Sequence, residues 1–412
     1  MRLLLALVIL LSHVPAKACT VFKQTLDGRT FIGNNEDAWS INANVRFEQG
    51  RDGGYGSIYF AHFNGHPMRA MSDQLGMNEA GLVFDGLVVG PGRVKRRSGM
   101  PSVETNDALL HIMRTCATVQ EVEAYLRTVD TGPVVGMLFF ADAAGGYLVL
   151  EPDTLFTGND PWYALSNWRM STCSDPATIP IPRLQDGRQL LMSGSGASLA
   201  GGEEVLSTMT VCRPKMGEGT LFSVLFDPQE AQAHLYFYHD LSERVTFDLK
   251  EELAKGDRSV DMASLFGARP EYERLRNYIT PFHQRWLFWA MFALAALAGI
   301  MGAINLVQLI VRGVARLRGR NSGAMITPLL SGLASATVIG LIGVLLMQEP
   351  VYYFGLGSTH KALVWLPLLL IVLVAAMLVL RYRESNTRRA LWGNALLYLP
   401  MIGLLGYWGM LW

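Results

Sequence analysis

The chain has 412 residues, half of them hydrophobic, and its 35 basic and 35 acidic side chains leave no formal net charge. That balance removes the long-range attraction on which nucleic-acid binding depends, and it gives no preference for an acidic substrate surface. Composition splits the chain into a soluble stretch from Cys19 to about Pro281, long enough for one sizeable core, and a membrane-like stretch from Trp286 onward.

The first residues read as an export leader. Met1 and Arg2 are a short basic start, Leu3 to Leu11 is an unbroken apolar run, and Ala16-Lys17-Ala18 is a small-x-small cleavage site. Cleavage after Ala18 makes Cys19 the first residue of the mature chain, with signal peptidase as the maturing partner. A thiol beside a free α-amine is a nucleophile with a built-in base. Cleavage elsewhere leaves Cys19 an ordinary strand or disulfide cysteine. A lipid-modified cysteine usually follows an aliphatic residue at the third position upstream, where this chain has Ala16.

A hairpin follows. Residues Thr20 to Thr25 alternate like strand faces, Asp27-Gly28 is a two-residue turn, and Thr30 to Gly33 returns as a second strand. That strand is expected to end at Asn34-Asn35-Glu36-Asp37, back beside Cys19. Such a cluster reads as a surface turn or as part of a site, and its return to the chain start favours the site. Gly56 to His62, Leu82 to Val89, Val134 to Asp142, Gly146 to Glu151, Leu221 to Phe226 and Ala233 to Tyr238 read as strands, and Thr105 to Thr128 as one helix. A mixed α+β domain follows.

His62 and His66 are four apart, but Asn64-Gly65 and Pro67 argue for a loop and not a ligand-bearing helix. No phosphate-binding glycine loop follows a strand, so neither metal nor nucleotide is expected, and no cofactor. Cys173 with Cys212 is one possible disulfide, leaving Cys116 buried in the predicted helix; spacing alone does not fix the pairing.

Four apolar segments close the chain: Trp286 to Val311, Ile326 to Met347, Ala362 to Leu380 and Leu391 to Trp412. Each approaches or exceeds the ~20 residues needed to cross a bilayer. Arg312, Arg316, Arg318 and Arg320 sit between the first two segments, and Arg381, Arg383, Arg388 and Arg389 between the last two. The loop Gln348 to Lys361 carries only Glu349 and Lys361. The positive-inside rule puts the arginine loops in the cytoplasm and the preceding domain outside, in agreement with the leader. Tryptophans such as Trp286 and Trp408 stand near segment ends, as interfacial anchors do. The segments hold no acidic residue, and Asn305 and Asn394 read as helix-packing groups, so the bundle is expected to be an anchor and not a transport path.

The ordered motifs resemble a family. Cys19-Thr20-Val21-Phe22, Asp27-Gly28 and Gly33-Asn34-Asn35-Glu36-Asp37 resemble the opening of the N-terminal-nucleophile (Ntn) hydrolases. Within them, the chain is similar to the choloylglycine hydrolase, penicillin V acylase and acid ceramidase group, and to the isopenicillin N acyltransferases. Gly76-Met77-Asn78-Glu79-Ala80-Gly81-Leu82, Ser166-Asn167-Trp168, Thr210-Val211-Cys212-Arg213 and Thr220 to Asp227 match later family segments in order. The resemblance covers roughly Cys19 to Phe247 and not the membrane part.

The resemblance implies an αββα sandwich, here followed by four transmembrane helices. The expected domains are a leader of residues 1–18, a catalytic domain of 19–281 and a membrane domain of 282–412. It also implies roles. Cys19 attacks a carbonyl carbon as its thiolate while its α-amine, with a reference pKa of about 7.7–8.0, accepts the proton. Asp37 orients the amine and thiol, Asn167 donates to the oxyanion, and Arg213 steadies the site. Asn34, Asn35 and Asp85 are the expected substrate-binding residues.

Two departures stand out. Many bile-salt hydrolases have an arginine where this chain has Asn34. The second oxyanion asparagine of that branch falls near Leu87-Val88, where a backbone N–H or Asp85 has to substitute. The expectation is a cysteine hydrolase of linear carbon–nitrogen amides, acting on a small N-acyl amide. It is placed in the lipid bilayer of a bacterial inner membrane, with the catalytic domain on the periplasmic side. An acyltransferase and an inactive membrane receptor are the alternatives.

Overall fold

A two-residue turn sets the geometry on which the domain is built. The computed structural model describes residues 19–63, 71–89, 99–131, 136–152, 154–213, 218–320, 324–385 and 388–411. Strands β1 (Thr20–Leu26) and β2 (Arg29–Ala38) pair from Thr20↔Asn35 to Leu26↔Arg29. Asp27 and Gly28 between them have φ of 51° and 78°. Positive φ at both central residues is the signature of a turn whose twist matches the flanking strands.

The return strand does not stop at Gly33, as the sequence suggested. β12 (Glu218–Asp227) pairs with it from Ala38 back to Ile32, which carries Asn34 to Asp37 into the sheet. Asn and Asp are usually turn formers because their side chains compete for the backbone. Here those side chains are engaged by neighbouring elements, and the ladder continues through them.

The described strands form two antiparallel sheets. The first has the order β10 (Trp162–Ser166), β1, β2, β12, β13 (Gln232–Phe237), β14 (Asp240–Asp248), with the short β11 (Cys212–Arg213) on β12. The second runs β15 (Arg258–Asp261), β3 (Asn42–Glu48), β4 (Ser57–Phe63), β5 (Ser72–Asn78), β6 (Val83–Leu87), β7 (Met137–Ala141), β8 (Tyr147–Glu151), β9 (Thr154–Gly158). The sheets meet through Phe60 of β4, whose ring centroid lies 6.3 Å from that of Phe222 and 5.8 Å from that of Phe226 on β12.

Helices cover the outer faces. α1 (Thr105–Thr115) and α2 (Val119–Leu126) bury Ile112, Met113 and Val122 against Tyr59, Phe84 and Phe140 of the second sheet. α3 (Pro182–Met192) and α4 (Leu199–Met209) bury Leu184, Leu191 and Val205 against Phe22, Leu225 and Tyr236 of the first. The layering is αββα. Thr105 to Thr128 is not one helix, because the chain restarts at Thr118. The Thr118 hydroxyl accepts from the Glu121 N–H while the Glu121 carboxylate accepts from the Thr118 N–H, a reciprocal cap that opens α2.

The domain ends at Tyr278, and a second unit begins at Ile279. It contains three helical segments long and apolar enough to cross a membrane: Arg285–Leu317 (α5), Ile326–Met347 (α6) and Lys361–Leu380, the last running into α7 (Leu366–Ser385). The fourth expected segment is the helix α8 (Arg388–Tyr407), whose described apolar part, Tyr398–Tyr407, is shorter than a span. Two arginines occupy its first turn and Pro400 lies inside it. Large apolar side chains such as Trp286, Leu306, Val311 and Trp365 point outward from this unit, a surface that water does not favour. The Asn305 amide donates to Ser331 Oγ at 2.8 Å, and the Tyr398 hydroxyl meets Ser335 Oγ at 2.9 Å. These polar groups are satisfied between helices, as packing groups are. The Asn394 side chain lies outside the described residues.

Gly33 tests the hairpin. It sits across from Phe22 in the β1–β2 ladder, and a Cβ there would lie 2.2 Å from Phe22 Cε1. Phe22 is fully buried, so the ring has nowhere to retreat. Gly33→Ala should cost about 1–3 kcal/mol, the usual penalty of overpacking. Thermal unfolding of the full-length protein should show a lowered melting temperature, and an unchanged one would contradict this packing.

Candidate active site

Strand β1 is held on both edges, and this fixes what surrounds its first residue. Thr20 pairs with Ser166 of β10 on one side and Asn35 of β2 on the other. One residue earlier, the same registers set Cys19 across from Asn167 and Glu36. The Ser166 hydroxyl donates to the Cys19 carbonyl at 2.9 Å, which ties down the strand end. Cys19 is buried, has a left-handed φ of 44°, and its thiol takes a hydrogen bond from the Asp37 backbone N–H.

The alternation of β2 sorts the polar cluster into two faces. Asn34 and Glu36 point between the sheets. Asn34 Nδ2 donates to Asp85 Oδ2 of β6 at 2.6 Å, and Glu36 Oε1 meets His62 Nε2 of β4 at 3.1 Å. Asn35 and Asp37 point to the helical layer. Asn35 Nδ2 donates to the Leu206 carbonyl at 3.0 Å, and its Oδ1 accepts from Ser223 at 2.6 Å. Expected beside Asn34 as a substrate contact, Asn35 is therefore committed on the opposite face. His62 lies at the end of β4, where the strand expected over Gly56 to His62 also ends; His66 lies outside the described residues.

Asp37 is gripped twice. Its Oδ1 accepts from Thr220 at 2.6 Å, and its Oδ2 lies 2.6 Å from an Arg183 guanidinium nitrogen. The same guanidinium donates to the Met209 carbonyl at the end of α4, at 2.8 Å. Arg183 escaped sequence reasoning. It belongs to no motif, and only the docking of α3 on the sheet brings it to Asp37.

Asn167 follows β10 directly. Its Nδ2 donates to the Val88 carbonyl at 2.7 Å, and its Oδ1 is buried with no donor among the described residues. A side-chain amide carries two N–H groups, so one remains for an oxyanion. Val88 lies where the resemblance puts an asparagine that this chain lacks, and Asn167 is what holds that segment. Arg213 lies on β11 opposite Glu218; its side chain is outside the described residues, as is that of Cys212. Cys173 is a free thiol bonded to the Asp175 carbonyl, and Cys116 is free and buried at the end of α1. Among the described residues, no three His, Cys, Asp or Glu side chains gather as a metal site.

The electrostatics run against a resting thiolate. Burial pushes the Cys19 thiol well above its ordinary range, and the carboxyls of Glu36, Asp37 and Asp85 push it further. Burial, then the Glu36 charge, raises Asp85 well above the usual carboxylate range. Burial raises Asp37 too, opposed by the Arg183 charge and the Thr220 hydroxyl. The sequence reading expected attack by a thiolate. Burial and the three carboxyls disfavour that thiolate.

No family model matches the chain, and no curated protein sequence does. In structure it is similar to a mutant conjugated bile acid hydrolase of Clostridium perfringens, at 15% identity. The likeness covers 61% of this chain and 97% of that one, with a TM-score of 0.48. A second variant of that enzyme gives 15% identity, coverage of 59% and 96%, and a TM-score of 0.47. The penicillin V acylase of Agrobacterium tumefaciens gives 14% identity, coverage of 60% and 86%, and a TM-score of 0.43.

Asp85 supplies a test with a defined sign. Its folded carboxyl holds its proton more tightly than the unfolded value of about 3.9. Its stabilising contribution is therefore complete below that value and lost as pH rises through the folded one. Asp85→Asn removes this loss. Its melting temperature, relative to the unmodified protein, should climb between pH 4 and pH 8; an offset independent of pH would count against a buried, proton-retaining Asp85.

Proposed function

We propose that this chain is a membrane-anchored cysteine amidohydrolase of the Ntn type, which cleaves the linear carbon–nitrogen bond of a small N-acyl amide. One observation carries the reading: β1 is paired on both edges so that Cys19 lies between Asn167 and the Glu36-Asp37 pair. Maturation after Ala18 would add a free α-amine to that residue.

The proposed chemistry gives each group a place. As the Cys19 sulfur attacks the carbonyl carbon, its proton passes to the α-amine, a base with its pKa near working pH. Burial and the neighbouring carboxyls disfavour a free thiolate, which gives this base its role. Charge that develops on the carbonyl oxygen is met by the remaining Asn167 N–H. The α-ammonium then returns the proton to the departing nitrogen, which leaves as an amine, and a thioester remains. Water attacks the thioester, the α-amine takes its proton, and the acid departs with the thiol restored. Asp37, anchored by Arg183 and Thr220, keeps its backbone N–H aimed at the sulfur.

The three long apolar helices and their outward apolar faces support anchoring in a bilayer. α8, together with the residues after it, is proposed as the fourth crossing. The arginine-rich loops favour a cytoplasmic side for themselves, and so a periplasmic catalytic domain in a bacterial inner membrane.

An activated ester tests the nucleophile without knowledge of the natural substrate. Full-length protein treated with p-nitrophenyl octanoate and quenched in acid should carry one octanoyl group, on Cys19 and labile to hydroxylamine. Asn167→Ala should slow this acylation by about 10²–10³, the usual loss of one oxyanion donor. Acylation at Cys173, or undiminished acylation in Cys19→Ala, would overturn the assignment.

A further inference from the structure

Two hydrogen bonds bridge the sheets beside Cys19, Asn34 to Asp85 and His62 to Glu36, and each leaves acceptors over. Asn34 Oδ1, Glu36 Oε2 and Asn167 Oδ1 are buried and receive no hydrogen bond from any described residue, while Asp85 accepts from the Gly86 backbone N–H and the Asn34 amide. The residues Asn34, Glu36 and Asp85 are only 1%, 3% and 1% exposed, so water does not reach them freely. His62 Nδ1 is likewise buried without a partner among the described residues. Buried acceptors in native proteins are nearly always matched. Asn34 and Glu36 share one face of β2, Asp85 meets Asn34 from the other sheet, and Glu36 and Asn167 flank Cys19.

Among the described residues, Asp85 has no arginine or lysine partner, and Glu36 meets only the His62 imidazole. Arg183 is spent on Asp37 and the Met209 carbonyl, on the helical face of β2. The α-ammonium that cleavage would give Cys19 has at most three N–H groups, and only two as the resting base. It leaves acceptors over, and it balances at most one of two acids.

We infer that this polar cluster between the sheets receives an ammonium group of the substrate, held by the Asp85 and Glu36 carboxylates and the side-chain oxygens of Asn34 and Asn167. This rests on the reading of Cys19 as the nucleophile, because it places the bound cation beside the scissile amide. A primary ammonium matches the site in kind: it is compact, positively charged, and a hydrogen-bond donor only.

Recognition and reactivity are then coupled. Burial raises Asp85 and Asp37 above the usual carboxylate range, and the charges of Glu36, Asp37 and Asp85 oppose ionisation of the thiol. A bound ammonium favours the ionised acids, expels a proton, and offsets the charges that oppose the thiolate. A substrate with the right group thus makes its own nucleophile more acidic. A neutral isostere does not.

The test separates binding from turnover by using full-length Cys19→Ala protein in detergent and four probes. N-octanoyl-ethylenediamine carries an ammonium on the amine side of the amide, and 3-aminopropanoyl-octylamide carries one on the acyl side. N-octanoyl-ethanolamine and N-octanoyl-glycine are the neutral and anionic counterparts. Calorimetry at pH 7.5 should show one ammonium probe binding about 10-fold or more tighter than the ethanolamide, as befits a charge-assisted buried contact. Which of the two wins tells the side of the amide on which the cation sits. Its affinity should rise with pH up to neutrality, with proton release on binding, and the preference should collapse in Asp85→Asn. Should that variant fail to fold, Glu36→Gln serves the same purpose. Equal affinity for the ammonium and hydroxyl probes, or preference for the glycine conjugate, would overturn the inference. Absence of Cys19 acylation by the activated ester in the unmodified protein, with the ammonium preference intact, would instead sink the hydrolase reading and leave the cation site standing.

Discussion

The site depends on one ladder, the pairing of β1 with β10 on one edge and β2 on the other. Cys19, Asn167, Glu36 and Asp37 derive their positions from it. Asn167 is the residue after β10, Glu36 and Asp37 are steps along β2, and Cys19 is the residue before β1. A slip of one residue would turn Asn34 and Glu36 to the helical layer and Asn35 and Asp37 into the interior. The Asp27-Gly28 turn sets the register of one edge, and the burial of Phe22 over Gly33 locks it. Hydrogen bonds from Ser166 and Ser223 add polar pins on the neighbouring strands.

The second constraint is electrostatic. Three carboxyls lie near a buried thiol, and among the described residues Arg183 is directed at Asp37 and not at the sulfur. Reactive cysteines are commonly made acidic by nearby positive charge. Here burial and the neighbouring carboxyls raise the thiol instead.

Much of this was legible in the chain. The hairpin could be read because Asp27-Gly28 has a single common use, and six strand segments were visible as apolar runs between turn residues. The polar stretch from Asn34 to Asp37 was misjudged as a strand end, because local propensity says nothing of β12, almost two hundred residues away. The break at Thr118 could have been found, since Thr118 and Glu121 are spaced as a capping box, but the apolar pattern on either side concealed it. Arg183 could not have been found. Its partner is set by how a helix packs, and no spacing encodes that. The opposite faces of Asn34 and Asn35 followed from strand alternation as soon as the strand was known to continue. In the second unit three helices long and apolar enough to cross a membrane are plain from length and composition, while the fourth run is helix with a shorter described apolar part.

The central claim is that export and activation are one event: removal of the leader creates the base that a neutral thiol requires. Intact mass and N-terminal sequencing of the protein recovered from membranes test it most directly. The account predicts a mature chain that begins at Cys19 with an unmodified α-amine. A chain that keeps residues 1–18, begins at another residue, or carries an acyl group on that amine would contradict it.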